Sequence, residues 1–289
     1  MRVRRSLRPA LYAAIGVIVV LIATGITYAT VGVQRSSGTG YETVAGGADT
    51  PPVTPSSNAA VCEQLVVPAY FSQAYWEAAI HAKHPPADMI LDISGVGAGS
   101  APEPEFKTLV KQATAAGITI LGYSSTVDGD RPIAQVEQDV QNYKAWYGVT
   151  SIFLDRVSGQ PAQLSYYKQL DAYIHQSHPG SQVWLNPGVY PDQSYMSAGD
   201  KVMVFEGTYA EYVDSPVPSW AKHYSPDRFV HTIYATPGTV LGTALELAQQ
   251  RGAGHVYVTD LIGSNPYQGL PSYWSSEDAD ATAGCKGSG

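Results

Sequence analysis

The 289-residue chain has only two cysteines, Cys62 and Cys285. That excludes a disulfide-dense miniature fold and a cysteine-rich structural zinc site. Charge is scarce as well, at 15% of residues with a net of −8. Basic residues are scarcest where most of the chain lies. Residues 1–60 carry five arginines and two acids, so the rest carries −11. A body of that sign offers nothing to replace counterions on a nucleic-acid backbone, which argues against nucleic acid as a partner. There is no G-x-S-x-G nucleophile elbow, and neither cysteine ends an apolar run. Gly95–Gly99 follows such a run but lacks the P-loop lysine and the G-x-G-x-x-G spacing, and reads as a mobile loop. His81 and His84 have no third ligand in view and read as surface residues. No metal or organic cofactor is implied.

What is present divides the chain into segments. Residues 1–10 form a basic stub, and residues 11–33 (LYAAIGVIVVLIATGITYATVGV) are uncharged and long enough to cross a bilayer as a helix. The preceding arginines put the amino terminus in the cytoplasm and the body outside. A cleaved secretory signal is the alternative, and it also exports the body. Residues 34–60 are rich in Gly, Pro, Ser and Thr and read as a flexible tether. Residues 61–289 are the folded body, with Cys62 and Cys285 near its two ends. In an exported compartment these two can form a disulfide closing nearly the whole domain, worth roughly 5 kcal/mol at most in the chain-entropy model. The other reading is two free thiols.

Within the body, apolar runs recur at intervals of 19 to 33 residues: Leu65–Phe71, Met89–Ser94, Ile118–Ser125, Ser151–Asp155, Gln182–Asn186, Lys201–Glu206, Phe229–Ala235 and His255–Asp260. They are continuous rather than alternating, as parallel strands covered on both faces should be. The gaps carry helical signals. Pro104–Ala116 has a stripe of Phe106, Leu109, Val110 and Ala113 stopped at Gly117; Pro132 opens a second helix; Thr239–Arg251 stops at Gly252. Eight strand–helix repeats predict a (β/α)8 TIM-type barrel, with a doubly wound open sheet as runner-up.

Polar residues end these runs: Asp92, Asp155, Asn186, Glu206 and Asp260, with Tyr70, Tyr123 and Tyr234 near the ends of others. In such a barrel the strand ends form one mouth, although Asp and Asn also cap helices. A carboxylate pair among aromatics points to glycoside hydrolysis, in which one carboxyl protonates the leaving oxygen and the other attacks the sugar or activates water. Asp155 and Glu206, two strands apart, have backbones roughly 10 Å apart, a spacing compatible with either stereochemical outcome. Tyr143, Trp146, Tyr147, Tyr166, Tyr167 and Tyr173 fall in helices and read as wall packing. Tyr70, Tyr123, Tyr190, Tyr209, Tyr234, Tyr267 and Trp274 fall at strand ends or in loops, where rings can stack on sugars.

The stretches VPAYF, GITILGYSSTVDGDR, YKAWYGVTSIFLD, LSYYKQLDAYI, WLNPG, DKVMVFEG and HVYVTD…NPYQGLPSYW, in that order from Leu65 to Trp274, resemble the spherulin-4, or spherulation-specific family 4, proteins, which are related to glycoside hydrolase families 135 and 114. The resemblance implies a (β/α)8 barrel that hydrolyses amino-sugar polysaccharides of the galactosamine or N-acetylgalactosamine type internally. It places the family's acidic, asparagine and glutamate positions on Asp155, Asn186 and Glu206. One departure stands out: the family's usual Asp-Glu is Asp155-Arg156 here. The expectation is therefore an exported, membrane-anchored glycoside hydrolase with a polysaccharide as partner. Glu206 and Asp155 would be catalytic, and Asn186, Asp92, Tyr123, Arg156, Tyr234, Asp260, Tyr70 and Trp274 would contact substrate. A non-catalytic carbohydrate-binding or envelope protein on the same mouth is the alternative.

Overall fold

The computed structural model describes residues 63–281. The membrane segment read over 11–33, the tether 34–60 and the Cys62–Cys285 pair lie outside the described residues. Among the described residues no helix is long and apolar enough to cross a membrane.

Eight parallel strands close in sequence order into a barrel: β1 (Gln64–Pro68), β2 (Asp88–Leu91), β3 (Thr119–Ser125), β4 (Ser151–Asp155), β5 (Val183–Leu185), β6 (Lys201–Thr208), β7 (Phe229–Tyr234) and β8 (His255–Val258), with β8 pairing back onto β1. Closure rules out the open sheet. Helices α1 (Gln73–Ile80), α2 (Pro104–Ala115), α3 (Ile133–Tyr147), α4 (Leu164–Ser177), α5 (Tyr209–Asp214), α6 (Leu241–Gln250) and α7 (Trp274–Ala281) follow the strands, α7 after β8. The stripe expected on α2 is present: Leu109, Val110 and Ala113 are buried. Gly117 and Gly252 follow α2 and α6 at φ +86 and +78, the left-handed conformation that ends a helix without a Cβ clash. Six of the strands are shorter than their apolar runs, β4 matches its run and β6 extends two residues beyond its own.

Side chains along a strand alternate between the two faces of the sheet. One parity of each strand packs against the helices. Val67, Met89, Leu91, Ile152, Leu154, Val183 and Leu185 lie in that outer layer with Tyr143, Tyr147 and Tyr167. Trp146, Tyr166 and Tyr173 lean on the same layer, as their helical positions imply. The other parity fills the barrel: Val66, Ile90, Leu121, Tyr123, Phe153, Trp184, Met203 and Val230 form one cluster.

β6 breaks the rule once. Its pairing with β7 runs Met203↔Val230 and then Phe205↔His231, so β6 carries one extra residue, a β-bulge. Lys201 and Met203 point inward at odd positions. Past the bulge the phase reverses, so that Phe205 packs in the outer layer and Glu206 lines the pocket at the barrel mouth.

The opposite end of the barrel is plugged by charge. His255, 1% exposed, has Nε2 3.0 Å from Asp227 Oδ1 and Nδ1 3.2 Å from Asp88 Oδ2. Lys201 Nζ donates to Asp227 Oδ2 at 2.8 Å, and both Lys201 and His255 lie against the Trp184 ring. Burial opposes charge on His255, but its bonds to Asp227 and Asp88 outweigh burial and the nearby Lys201, so its pKa is raised above 6.5. A group with a raised native pKa stabilises the fold fully below its unfolded value and loses that contribution as pH rises through the native one. Thermal stability of the full chain should therefore fall as pH climbs above about 6.5. Melts across that range should lose this component in His255→Gln, and an unchanged slope would refute it.

Candidate active site

A pocket of about 490 Å³ opens at the carboxyl ends of the strands. Seven of the residues selected from sequence line it: Tyr70, Asp92, Tyr123, Asp155, Asn186, Glu206 and Tyr234. All except Glu206 continue the inward parity of their own strand, and Glu206 joins them through the bulge. The floor is Phe153 and Met203, and among the described residues no lysine, arginine or histidine lines the pocket.

Asn186 is the hub. Its Nδ2 donates one hydrogen to Asp155 Oδ1 at 2.8 Å and the other to Glu206 Oε2 at 2.7 Å. Its Oδ1 accepts from Gly188 N at 2.9 Å, which fixes the amide's orientation. These two bonds cap the separation of the two acceptor oxygens at about 5.5 Å. The remaining carboxylate oxygens receive phenols: Tyr123 donates to Asp155 Oδ2 at 2.6 Å, and Tyr267 donates to Glu206 Oε1 at 2.8 Å. Tyr70 stands between these two tyrosines, edge-on to each at 5.7 and 5.8 Å.

Burial dominates the electrostatics of the pocket. Burial pushes the Glu206 pKa above its ordinary 4.5; the Asn186 and Tyr267 hydrogen bonds restrain the rise, and the Asp155 charge adds to it. Asp92 is raised chiefly by burial, partly offset by the Gly95 and Ser94 amides that bond its Oδ1. Burial, the Asp155 charge and its hydrogen bond to Asp155 raise Tyr123, so its phenol stays a donor.

Three of the selected residues lie outside the pocket. Arg156 follows Asp155 with the opposite parity, at φ +52, and its guanidinium bonds Asp128 Oδ2 at 3.1 Å on the surface. Asp260 also has outward parity and accepts from Ser272 N and Oγ, stapling the loop after β8. Trp274 opens α7 and packs in the outer layer. Tyr190 packs against Trp220 and Phe229, away from the mouth. His81 is exposed at the end of α1, and among the described residues no cluster of His, Cys, Asp and Glu could hold a metal. Sequence reasoning weighed Tyr267 only as a stacking ring. Its role as a carboxylate partner depends on the path of the 263–267 loop, which no local pattern announces.

The Gly95–Gly99 segment is pinned rather than free. Ser125 N and Arg131 Nη1 donate to Val96 O, and Ala98 N donates to Asp139 Oδ1. Asp139 is itself held by Arg131 at 2.7 Å and Ser124 at 2.8 Å. A Cβ at Gly97 would meet Asp139 Oδ2 at 2.0 Å. Gly97→Ala should therefore destabilise the domain by about 1–3 kcal/mol, as overpacking does. Denaturant unfolding measures this, and a wild-type midpoint would contradict it.

The family model described as spherulation-specific family 4 matches residues 64–279. Spherulin-4 of Physarum polycephalum is 30% identical over 227 residues, covering 74% of this chain and 68% of that protein. The crystal structure of Aspergillus clavatus Sph3 in complex with GalNAc superposes with a TM-score of 0.67 at 23% identity, over 78% of this chain and 99% of that one. A GH18 chitinase from Pseudoalteromonas aurantia matches at 0.50 and 12% identity, over 76% and 100%. At these identities the two structures share the fold with this chain.

Proposed function

The chain belongs to spherulation-specific family 4, and we propose that it is a retaining glycoside hydrolase cleaving within an amino-sugar polysaccharide of the galactosamine or N-acetylgalactosamine type. The observation that carries this reading is the pair of carboxylates joined by one amide in an open pocket. The two oxygens that the amide bridges are no more than about 5.5 Å apart, which is compatible with retention and short of the 6.5–9.5 Å of inverting enzymes. The GalNAc in the Sph3 complex supports an amino sugar. The acidic, cation-free pocket is compatible with a neutral or positively charged sugar.

In this reading Asp155, held by Tyr123 and Asn186, attacks the anomeric carbon. Glu206 protonates the departing oxygen as the glycosidic C–O bond breaks. Glu206 then takes a proton from water, whose oxygen displaces Asp155 and regenerates both groups. Glu206 suits the acid role because burial favours its neutral form. Tyr70, Asp92 and Tyr234 line the space for the sugar. Arg156 lies outside that space, so the departure from Asp-Glu leaves the working pair intact. The segment 11–33 would hold the barrel outside the cell on the 34–60 tether.

Full-length protein supplied with a galactosamine-rich polymer should release new reducing ends. Glu206→Gln and Asp155→Asn should each lower kcat/KM by at least about 100-fold. Arg156→Ala should stay within about threefold, since exposed ion pairs contribute little. Activity should fall as pH rises through the raised Glu206 pKa, because the acid must carry its proton. Proton NMR of the first product should show the anomer of the substrate. Inversion would overturn the nucleophile assignment, and tight binding without cleavage would leave a carbohydrate-binding barrel.

A further inference from the structure

An acid that becomes a base in the second half of its cycle needs neighbours that suit both states. Glu206 Oε2 faces the Asn186 amide nitrogen, which can only donate. A proton on Oε2 would therefore confront that nitrogen's hydrogens, so in the resting enzyme the proton of neutral Glu206 belongs on Oε1. There it faces Tyr267, whose hydroxyl is 2.8 Å from Oε1 and 3.2 Å from Thr232 Oγ1 on β7. A phenol has one hydrogen and can give it to only one of these partners at a time. Thr232 is fully buried, and the carbonyl of Phe205 and the sulfur of Met203 accept from its own hydroxyl at 3.5 Å.

We propose that Tyr267 and Thr232 form a hydroxyl relay that serves Glu206 in both protonation states. When Glu206 is ionised, Tyr267 donates to Oε1. When Oε1 carries the proton, Tyr267 accepts it in a hydrogen bond and turns its own hydrogen to Thr232. No covalent bond changes within the relay; one phenolic hydrogen rotates between two acceptors. Tyr267 is thus a positioning residue for Glu206, and the proposal rests on the reading of Glu206 as the acid and base.

The surrounding structure holds the relay in place. Asp260 staples the base of the loop through Ser272, and Asn265 Oδ1 accepts from Tyr267 N at 2.9 Å. Tyr70 and Tyr257 pack against the Tyr267 ring. Burial and the Glu206 charge keep the phenol well above its ordinary range, so it exchanges roles without ionising. The other titratable groups facing Glu206 are Asp155 from β4, Tyr70 beyond β1 and Tyr234 at the end of β7. None of these exchanges a hydrogen bond with Oε1.

The two members of the relay make opposite predictions. Tyr267→Phe removes both of its bonds to Glu206, and the one to the ionised carboxylate is the stronger, so Glu206 should titrate higher by about one pH unit. Thr232→Val removes the acceptor needed only when Glu206 is neutral, so Glu206 should titrate lower. Thr232→Ser restores the hydroxyl and should return the wild-type midpoint. Carbon-13 NMR of carboxyl-labelled glutamate in the full-length chain reads these midpoints, with the Glu206 signal assigned by its loss in Glu206→Gln. Opposite shifts support the relay, and coincident midpoints or shifts of the same sign overturn it. The polymer assay separates the two claims. If Glu206→Gln abolishes cleavage while the midpoints coincide, the glycosidase reading stands and the relay falls. If the midpoints move as stated while wild type cleaves nothing, the relay stands and the glycosidase reading falls.

Discussion

A closed parallel barrel admits only every second residue of each strand to its interior, and the chemistry of this molecule follows from that alternation. On β4 it sends Ile152 and Leu154 to the helices and Phe153 and Asp155 inward. On β5 it sends Val183 and Leu185 out and Trp184 and Asn186 in. The interior is thereby stacked from a charged floor around His255, through a packed apolar middle, to an acidic mouth. β6 alone would present its glutamate to the outer layer if it kept the same phase. One inserted residue between Met203 and Phe205 turns Glu206 toward Asp155, and the carboxylate pair exists because of that bulge.

Two carboxylates this close, with no cation lining the pocket, need another source of stabilisation. The barrel supplies neutral donors: one amide shared between the two acids and one phenol for each. An amide donates to both without adding charge, so the pocket stays negative while each carboxylate keeps two hydrogen bonds. Asp155 takes its phenol from β3 within the barrel. Glu206 takes its phenol from a loop that Asp260 and Ser272 close. That asymmetry matches the raised Glu206 pKa and the different tasks proposed for the two acids.

Much of this was legible in the chain. The eight apolar runs, the helix stops at Gly117 and Gly252, and the tyrosines packed on α3 and α4 all follow from short-range patterns of burial and backbone preference. The polar ends of the runs marked the mouth correctly at Asp92, Asp155 and Asn186. The same reading places Asp260 with them, and the family resemblance adds Arg156, because in a continuous apolar run the hydrophobic pattern does not reveal which parity faces inward. Each sits one residue past an inward position, and one residue turns a side chain to the other face. A loop position after β8 suggests the mouth for Trp274, whereas α7 carries it into the outer layer.

By itself, then, the sequence determined the repeating strand–helix order, and with it the closed barrel and the end of the barrel where polar groups gather. These depend on local periodicity and on the handedness of crossovers, both of which act over a few tens of residues. Tertiary structure decided which polar groups meet. The phase change at the β6 bulge, the Asn186 bridge between residues 31 and 20 positions away, and the approach of Tyr267 from 61 positions along the chain are set by strand register and loop path. Those are properties of the closed sheet as a whole, because a register or a loop path has meaning only once its partners are in place.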